Sequence, residues 1–184
     1  MAPLIHRVAA LALVLATACV PARAQDGPIT EESIKAAFLY KFPGFVDWPS
    51  PALERSDEPV VIGVYGSDDV GAELLSLSAT RKGGRPLVVK SVRNTEGLKD
   101  THVLFIGAKE RSRAPEMIRA AQHAGVLTVT DWDGALRMGS VINFVTTPDG
   151  RVRFEISLEP AEKSRLRLSS RLLAVAQQVH SVRP

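Results

Sequence analysis

Between residues 151 and 158 apolar and polar side chains alternate. Val152, Phe154, Ile156 and Leu158 fall on one parity, and Arg153, Glu155 and Ser157 on the other. That period of two belongs to a strand with one face buried and one wet. A second apolar run covers 141–146, and Thr147-Pro148-Asp149-Gly150 lies between the two. Proline presets φ, aspartate bonds its own backbone and glycine takes positive φ, so this pair is a β-hairpin. Upstream, four short runs at 60–65, 87–92, 102–107 and 126–130 read as strands. The run at 60–65 is β-branched and apolar, typical of a central strand buried on both faces, and 102–107 is again too apolar for an edge facing water.

The helices show a different period. Thr30 caps a segment in which Ile34, Ala37, Phe38 and Phe42 share a face, and Pro43-Gly44 breaks it. Gly66-Ser67-Asp68-Asp69 opens a helix to about Leu77, and residues 114–124 form another, closed by Gly125. Pro160 starts a short turn, and 165–168 alternates as an extended piece. Ser169 or Ser170 then caps a last helix, with Leu172, Leu173, Val175, Ala176 and Val179 in one stripe. Helices and strands alternate through the middle, which makes the sheet mainly parallel there. The expected fold is α/β: a single-domain mixed sheet of about six strands with helices on both faces and an antiparallel hairpin near the C-terminus.

The first residues belong to export. Arg7 precedes an apolar run at 8–20, and Ala22-Arg23-Ala24 fits a small-x-small cleavage site. Residues 1–24 are therefore a signal peptide, and the mature domain is 25–184. The run is too short to span a membrane, which takes roughly 20 residues, so no membrane insertion of the mature chain is expected. Cys19, the single cysteine, sits in Leu15-Ala16-Thr17-Ala18-Cys19, a loose lipobox, so lipidation at Cys19 stands as the alternative anchor. A chain starting at Gln25 has no cysteine and no disulfide. Losing Arg7 and Arg23 lowers the formal net charge from +3 to +1. Arg151, Arg153, Lys163, Arg165, Arg167 and Arg171 are the densest basic group. Phe154 is the one aromatic residue among them and lies on the apolar parity of its strand, which argues against nucleic acid.

Reaction chemistry is missing from the pattern. His102, His123 and His180 are far apart and have no second ligand at metal spacing. Gly63, Gly66 and Gly71 miss the G-x-G-x-x-G register, and Ser140 lacks the nucleophile elbow. Catalytic residues, metal ligands and cofactors are accordingly none. Asp131 and Asp133 stand at the carboxyl end of a strand, where open α/β sheets bind ligands. Gly66, Ser67 and Asp131 therefore mark a candidate small-molecule pocket, and a periplasmic solute binder is one of two functional readings.

The other reading comes from a resemblance. Residues 34–42 with Phe45-Val46 and Trp48-Pro49 resemble the opening signature of YfiR-like periplasmic proteins. Ile62-Gly63-Val64, His102-Val103-Leu104-Phe105-Ile106, Val126-Leu127-Thr128-Val129 with Asp131, and Gly139-Ser140-Val141-Ile142-Asn143-Phe144 follow in order. The ending through Leu172-Leu173-Ala174-Val175-Ala176 agrees as well. The resemblance implies a homodimeric periplasmic repressor, not an enzyme. Its partner would be the periplasmic region of a membrane-bound diguanylate cyclase, so that it lowers cyclic di-GMP and biofilm formation. Two departures stand out. The redox-sensitive disulfides of the best-known members have no counterpart in a mature chain without cysteine, and Pro43-Gly44 interrupts the first signature. A contact able to hold a partner needs aromatic or arginine anchors. Tyr40, Trp132, Arg165 and Arg167 are the candidates.

Overall fold

The structure is a computed structural model and describes residues 29–49, 57–80 and 85–181. The signal segment, its cleavage site and Cys19 lie outside these residues. The helices are α1 (Glu31–Lys41), α2 (Asp68–Thr80), α3 (Ala114–Ala124), α4 (Leu158–Lys163) and α5 (Ser170–Val175). The strands are β1 (Val46–Asp47), β2 (Val60–Tyr65), β3 (Leu87–Ser91), β4 (Val103–Ile106), β5 (Leu127–Thr130), β6 (Ile142–Thr146), β7 (Val152–Ser157), β8 (Arg167–Leu168) and β9 (Gln178–His180).

Seven strands, one more than the pattern suggests, form the main sheet in the order β3-β2-β4-β5-β6-β7-β9. Pairing is parallel from β3 to β6, antiparallel at the β6–β7 hairpin and parallel again between β7 and β9. β1 and β8 form a separate antiparallel pair.

Helix α1 starts with a reciprocal cap between Thr30 and Ser33 and stops at Lys41, where Phe42–Phe45 tightens into a 3-10 turn around Pro43. Its inner face supplies Leu39 and, with that turn, Phe42 to a core shared with α2, α5 and one face of the sheet. Phe154 meets Phe42 edge-on at 5.2 Å and Phe38 at 5.4 Å, so the buried parity of the hairpin is the one its alternation assigns. On the other face α3 packs Met117, Ile118 and Ala121 against Leu104 and Ile106.

Strands β5 and β6 share only two register pairs. Buried side chains complete the join. Thr130 Oγ1 donates to Asn143 Oδ1 at 2.9 Å, Ser140 Oγ to the Ile142 carbonyl at 2.8 Å, and the Val141 amide to Thr128 Oγ1 at 3.0 Å. Each hydroxyl stands in for a missing ladder bond in a dry interior, where an unpaired polar group is costly. Gly139, at φ +101°, makes the turn that feeds them.

The C-terminus corrects the sequence expectation. Helix α5 lasts six residues, with Ser169 as its cap, and the remaining stretch becomes β9. Leu172 is buried, whereas Val175 and Val179 are exposed, so no continuous stripe exists. The open edge of β7 is the reason. Its unpaired backbone takes Gln177 N onto the Phe154 carbonyl at 2.9 Å and then three residues in parallel register.

Candidate functional site

Strand order reverses between β2 and β4, and their carboxyl ends are where an open α/β sheet holds a ligand. Side chains of the chain itself reach into this crevice. Gly66 adopts φ +74°, and the Glu110 side chain lies where a Cβ on Gly66 would go. A Cβ on Gly107 would come within 2.5 Å of the Gly66 carbonyl oxygen. Asp131 is engaged as well. Its Oδ2 takes Lys35 Nζ at 2.8 Å, and its Oδ1 accepts from the Ala108 amide at 2.7 Å. Lys35 is 7% exposed and also reaches Glu31 at 2.7 Å. Burial lowers the Lys35 pKa, but the hydrogen bonds from Asp131 and Glu31 outweigh it and hold the ammonium above its ordinary range. Of the residues expected to form a pocket, Asp131 is thus held in an ion pair that bolts α1 to the sheet, and Gly66 lies under the Glu110 side chain.

The opposite end of the sheet is open. Helix α1 runs from Lys35, beside the strand carboxyl ends, to Tyr40 and Lys41 beside the first residues of β2 and β3. There the 3-10 turn and β1 leave a cleft of about 530 Å³. Tyr40, Pro43, Val46, Trp48, Val60 and Leu87 supply its apolar wall, and Lys41, Asp47 and Arg85 its charges. Trp48 also borders a second cleft of about 820 Å³, beside His102, Ala124 and Gly125. Its indole stands edge-on to the His102 ring, at 89° and 6.2 Å between centroids. The Trp48 Nε1–H is buried and has no hydrogen-bond partner. His102 Nδ1 accepts from the Val61 amide at 3.1 Å. Burial, aided by the nearby Arg85 charge, pushes the His102 pKa below its ordinary value.

Of the anchors expected from sequence, Tyr40 lines this cleft. Arg167 faces Asp47 across the β1–β8 pair, so it stands at the same rim, with exposed Arg165 two residues before it. Trp132 is different. At 7% exposure it packs in the α3 core, and its burial removes it from the surface. A Trp between two aspartates reads as a wet turn, but the Trp132 amide binds Asn143 Oδ1 at 3.2 Å and pulls the residue inward. Trp48 reads from sequence as core, and it does pack, partly buried, against the core while also lining both clefts. Among the described residues, no group of three or more His, Cys, Asp or Glu is placed to hold a metal ion.

The described residues thus leave a concave, largely apolar cleft with charges on its rim at one end of the sheet, and place the Lys35–Asp131 ion pair at the other. The chain belongs to the YfiR/HmsC-like family, whose model matches residues 32–177. That is a family of periplasmic regulatory proteins. No curated protein matches the sequence closely enough to count as a relative. Among solved structures, a conserved domain protein from Vibrio cholerae O1 biovar El Tor is similar with TM-score 0.55 and 15% identity, over 83% of this chain and 61% of that one. An ABC domain from Streptococcus pneumoniae, solved in complex with L-Trp, is similar with TM-score 0.52 and 12% identity, over 81% and 60%. The chain spans less than two thirds of either structure, and at these identities the likeness shows the fold alone. Among the described residues, no helix is long and apolar enough to cross a membrane.

Proposed function

We propose that the protein represses a membrane-bound diguanylate cyclase by binding the cyclase's periplasmic sensor region, lowering cyclic di-GMP and biofilm formation. The observation that carries this reading is family membership across residues 32–177, which takes in both core layers and the cleft. The protein acts as a binding partner, in keeping with a family of regulators. As the family resemblance implies, it acts as a homodimer.

Repression by binding requires differential affinity: the repressor holds the inactive cyclase more tightly than the active one. The Tyr40–Trp48 cleft suits that role because it offers a fixed aromatic wall, recessed apolar surface and rim charges to one partner conformation. Deleting the gene raises cyclic di-GMP and biofilm, and deleting the cyclase as well restores the low level. A tagged copy exported to the periplasm retains the cyclase when membranes are solubilised and captured. A single deletion that leaves cyclic di-GMP unaltered while the wild-type protein is abundant would overturn the proposal.

A further inference from the structure

We infer that the cleft beside Trp48 is a docking groove for an extended acidic segment that carries an apolar or aromatic side chain. The inference deepens the repression reading and rests on it only for the identity of the partner.

Charge is the first support. Lys41 and Arg85 line the cleft, and Asp47 is the one acidic side chain among its described lining residues. The β1–β8 pair sets Arg167 opposite Asp47 in register, at roughly 5 Å between Cβ atoms for directly paired residues. The Ser169 amide donates to the Phe45 carbonyl at 2.9 Å, which ties the start of α5 to the same turn and brings exposed Arg171 to this end of the molecule. Residues 165–171 look in sequence like a solvated basic stretch without aromatics. The fold ties them to Phe45 and Asp47. Lys41, Arg85, Arg167 and Arg171 therefore stand at one end of the molecule, around the recess.

The second support is the inside of the recess. Pro43, Val46, Val60 and Leu87 are apolar, and Tyr40 and Trp48 add aromatic surface. A peptide supplies a side chain for the apolar wall and carboxylates for the rim. The third is the neighbouring edge. Among the described residues β3 pairs with β2 alone and ends the sheet, and its first residue, Leu87, lines the cleft. A segment leaving the groove in extended form meets an open strand edge, the arrangement used in strand addition. A basic surface with Trp and Tyr also suits an anionic lipid headgroup layer. However, the apolar surface here is recessed between helix end and sheet, where a chain reaches and a flat bilayer does not.

The probe is a random copolymer of glutamate and tyrosine, titrated into protein purified from the periplasm. Three readouts apply: copolymer anisotropy, the Trp48 share of indole emission (defined by its loss in Trp48→Phe), and melting temperature. Expected results are saturable binding with quenching of Trp48, and weaker binding by tyrosine-free polyglutamate. Affinity falls as salt is raised from about 0.01 to about 0.15 M, which shrinks the screening length from about 30 to about 8 Å. The Lys41→Glu/Arg167→Glu pair, both exposed, lowers affinity by about tenfold or more with the melting temperature unchanged. Copolymer binding that the charge reversals leave intact would overturn the groove. Binding to phosphatidylglycerol vesicles with none to the copolymer would overturn it in favour of a lipid surface. The probe contains no cyclase, so failure of the groove registers in the titration and failure of the repression reading registers in the deletion strain.

Discussion

The neutral form of His102 is favoured in the folded protein, where its Nδ1 lone pair accepts the Val61 amide at 3.1 Å. Burial and then the Arg85 charge lower its pKa below the ordinary 6.5. The unfolded chain takes up a proton as pH falls through that value, and the folded chain does so only at lower pH. The stability His102 confers is therefore complete above about pH 6.5 and is lost progressively as pH drops through the depressed folded pKa. His102→Asn keeps an acceptor near the Nδ1 position and removes the titration. The melting temperature of the wild type should fall between pH about 7 and about 5, and the variant's curve should be flatter by that share. Equal slopes would show that His102 is not the titrating group. None of this is legible from one sequence, since Val61 lies 41 positions away. The same holds for Lys35 and Asp131, 96 positions apart. An isolated Asp at a strand end reads as a ligand, and only the fold reveals a lysine that already occupies it.

Elements were legible where the local pattern and the sheet demand the same thing. The β6–β7 hairpin is the best case. Its alternation puts Val152, Phe154 and Ile156 on one face, its turn chemistry joins the strands, and all three side chains are buried. The C-terminus is the opposite case. Leu172, Val175, Ala176 and Val179 have ideal helical spacing, but the unpaired edge of β7 gains more by taking β9 than a solvent-exposed helix gains by growing. Propensity yields to tertiary pairing there, and no local signal announces it. The two-residue strand β1 was hidden for a similar reason, since it is defined only by its distant partner; β8 falls within the extended piece read at 165–168, but which strand it pairs with was not legible. The hairpin assignment gives a direct test. Phe154 is 2% exposed and contacts both Phe38 and Phe42. Phe154→Ala removes a ring from a core built on three elements and should cost about 3–5 kcal/mol in urea unfolding. A loss below about 0.5 kcal/mol, the scale of an ordinary surface change, would mean that the face is assigned backwards.

At the scale of the whole molecule the two ends of the sheet divide their roles. At the carboxyl ends Glu110 lies over Gly66 and Lys35 pairs with Asp131, and at the amino ends lies the recess through which we propose that repression works. Repression through that recess has a quantitative consequence. Moving the cyclase from about 1:99 inactive to active to about 99:1 needs roughly 5.5 kcal/mol of preference for the inactive form. An aromatic anchor at the centre of an interface is commonly worth about 2 kcal/mol on truncation, which is close to a thirtyfold change in the ratio. If Tyr40 contacts only the inactive form, Tyr40→Ala drops the ratio from about 99:1 to about 3:1. Cyclase output then rises to roughly a quarter of the fully derepressed level. Tyr40→Phe keeps the ring and should repress nearly as well as the wild type. The measurement is cyclic di-GMP in a deletion strain carrying each variant, with periplasmic abundance and melting temperature matched. An alanine variant that is stable, abundant and fully repressing would remove Tyr40 from the interface.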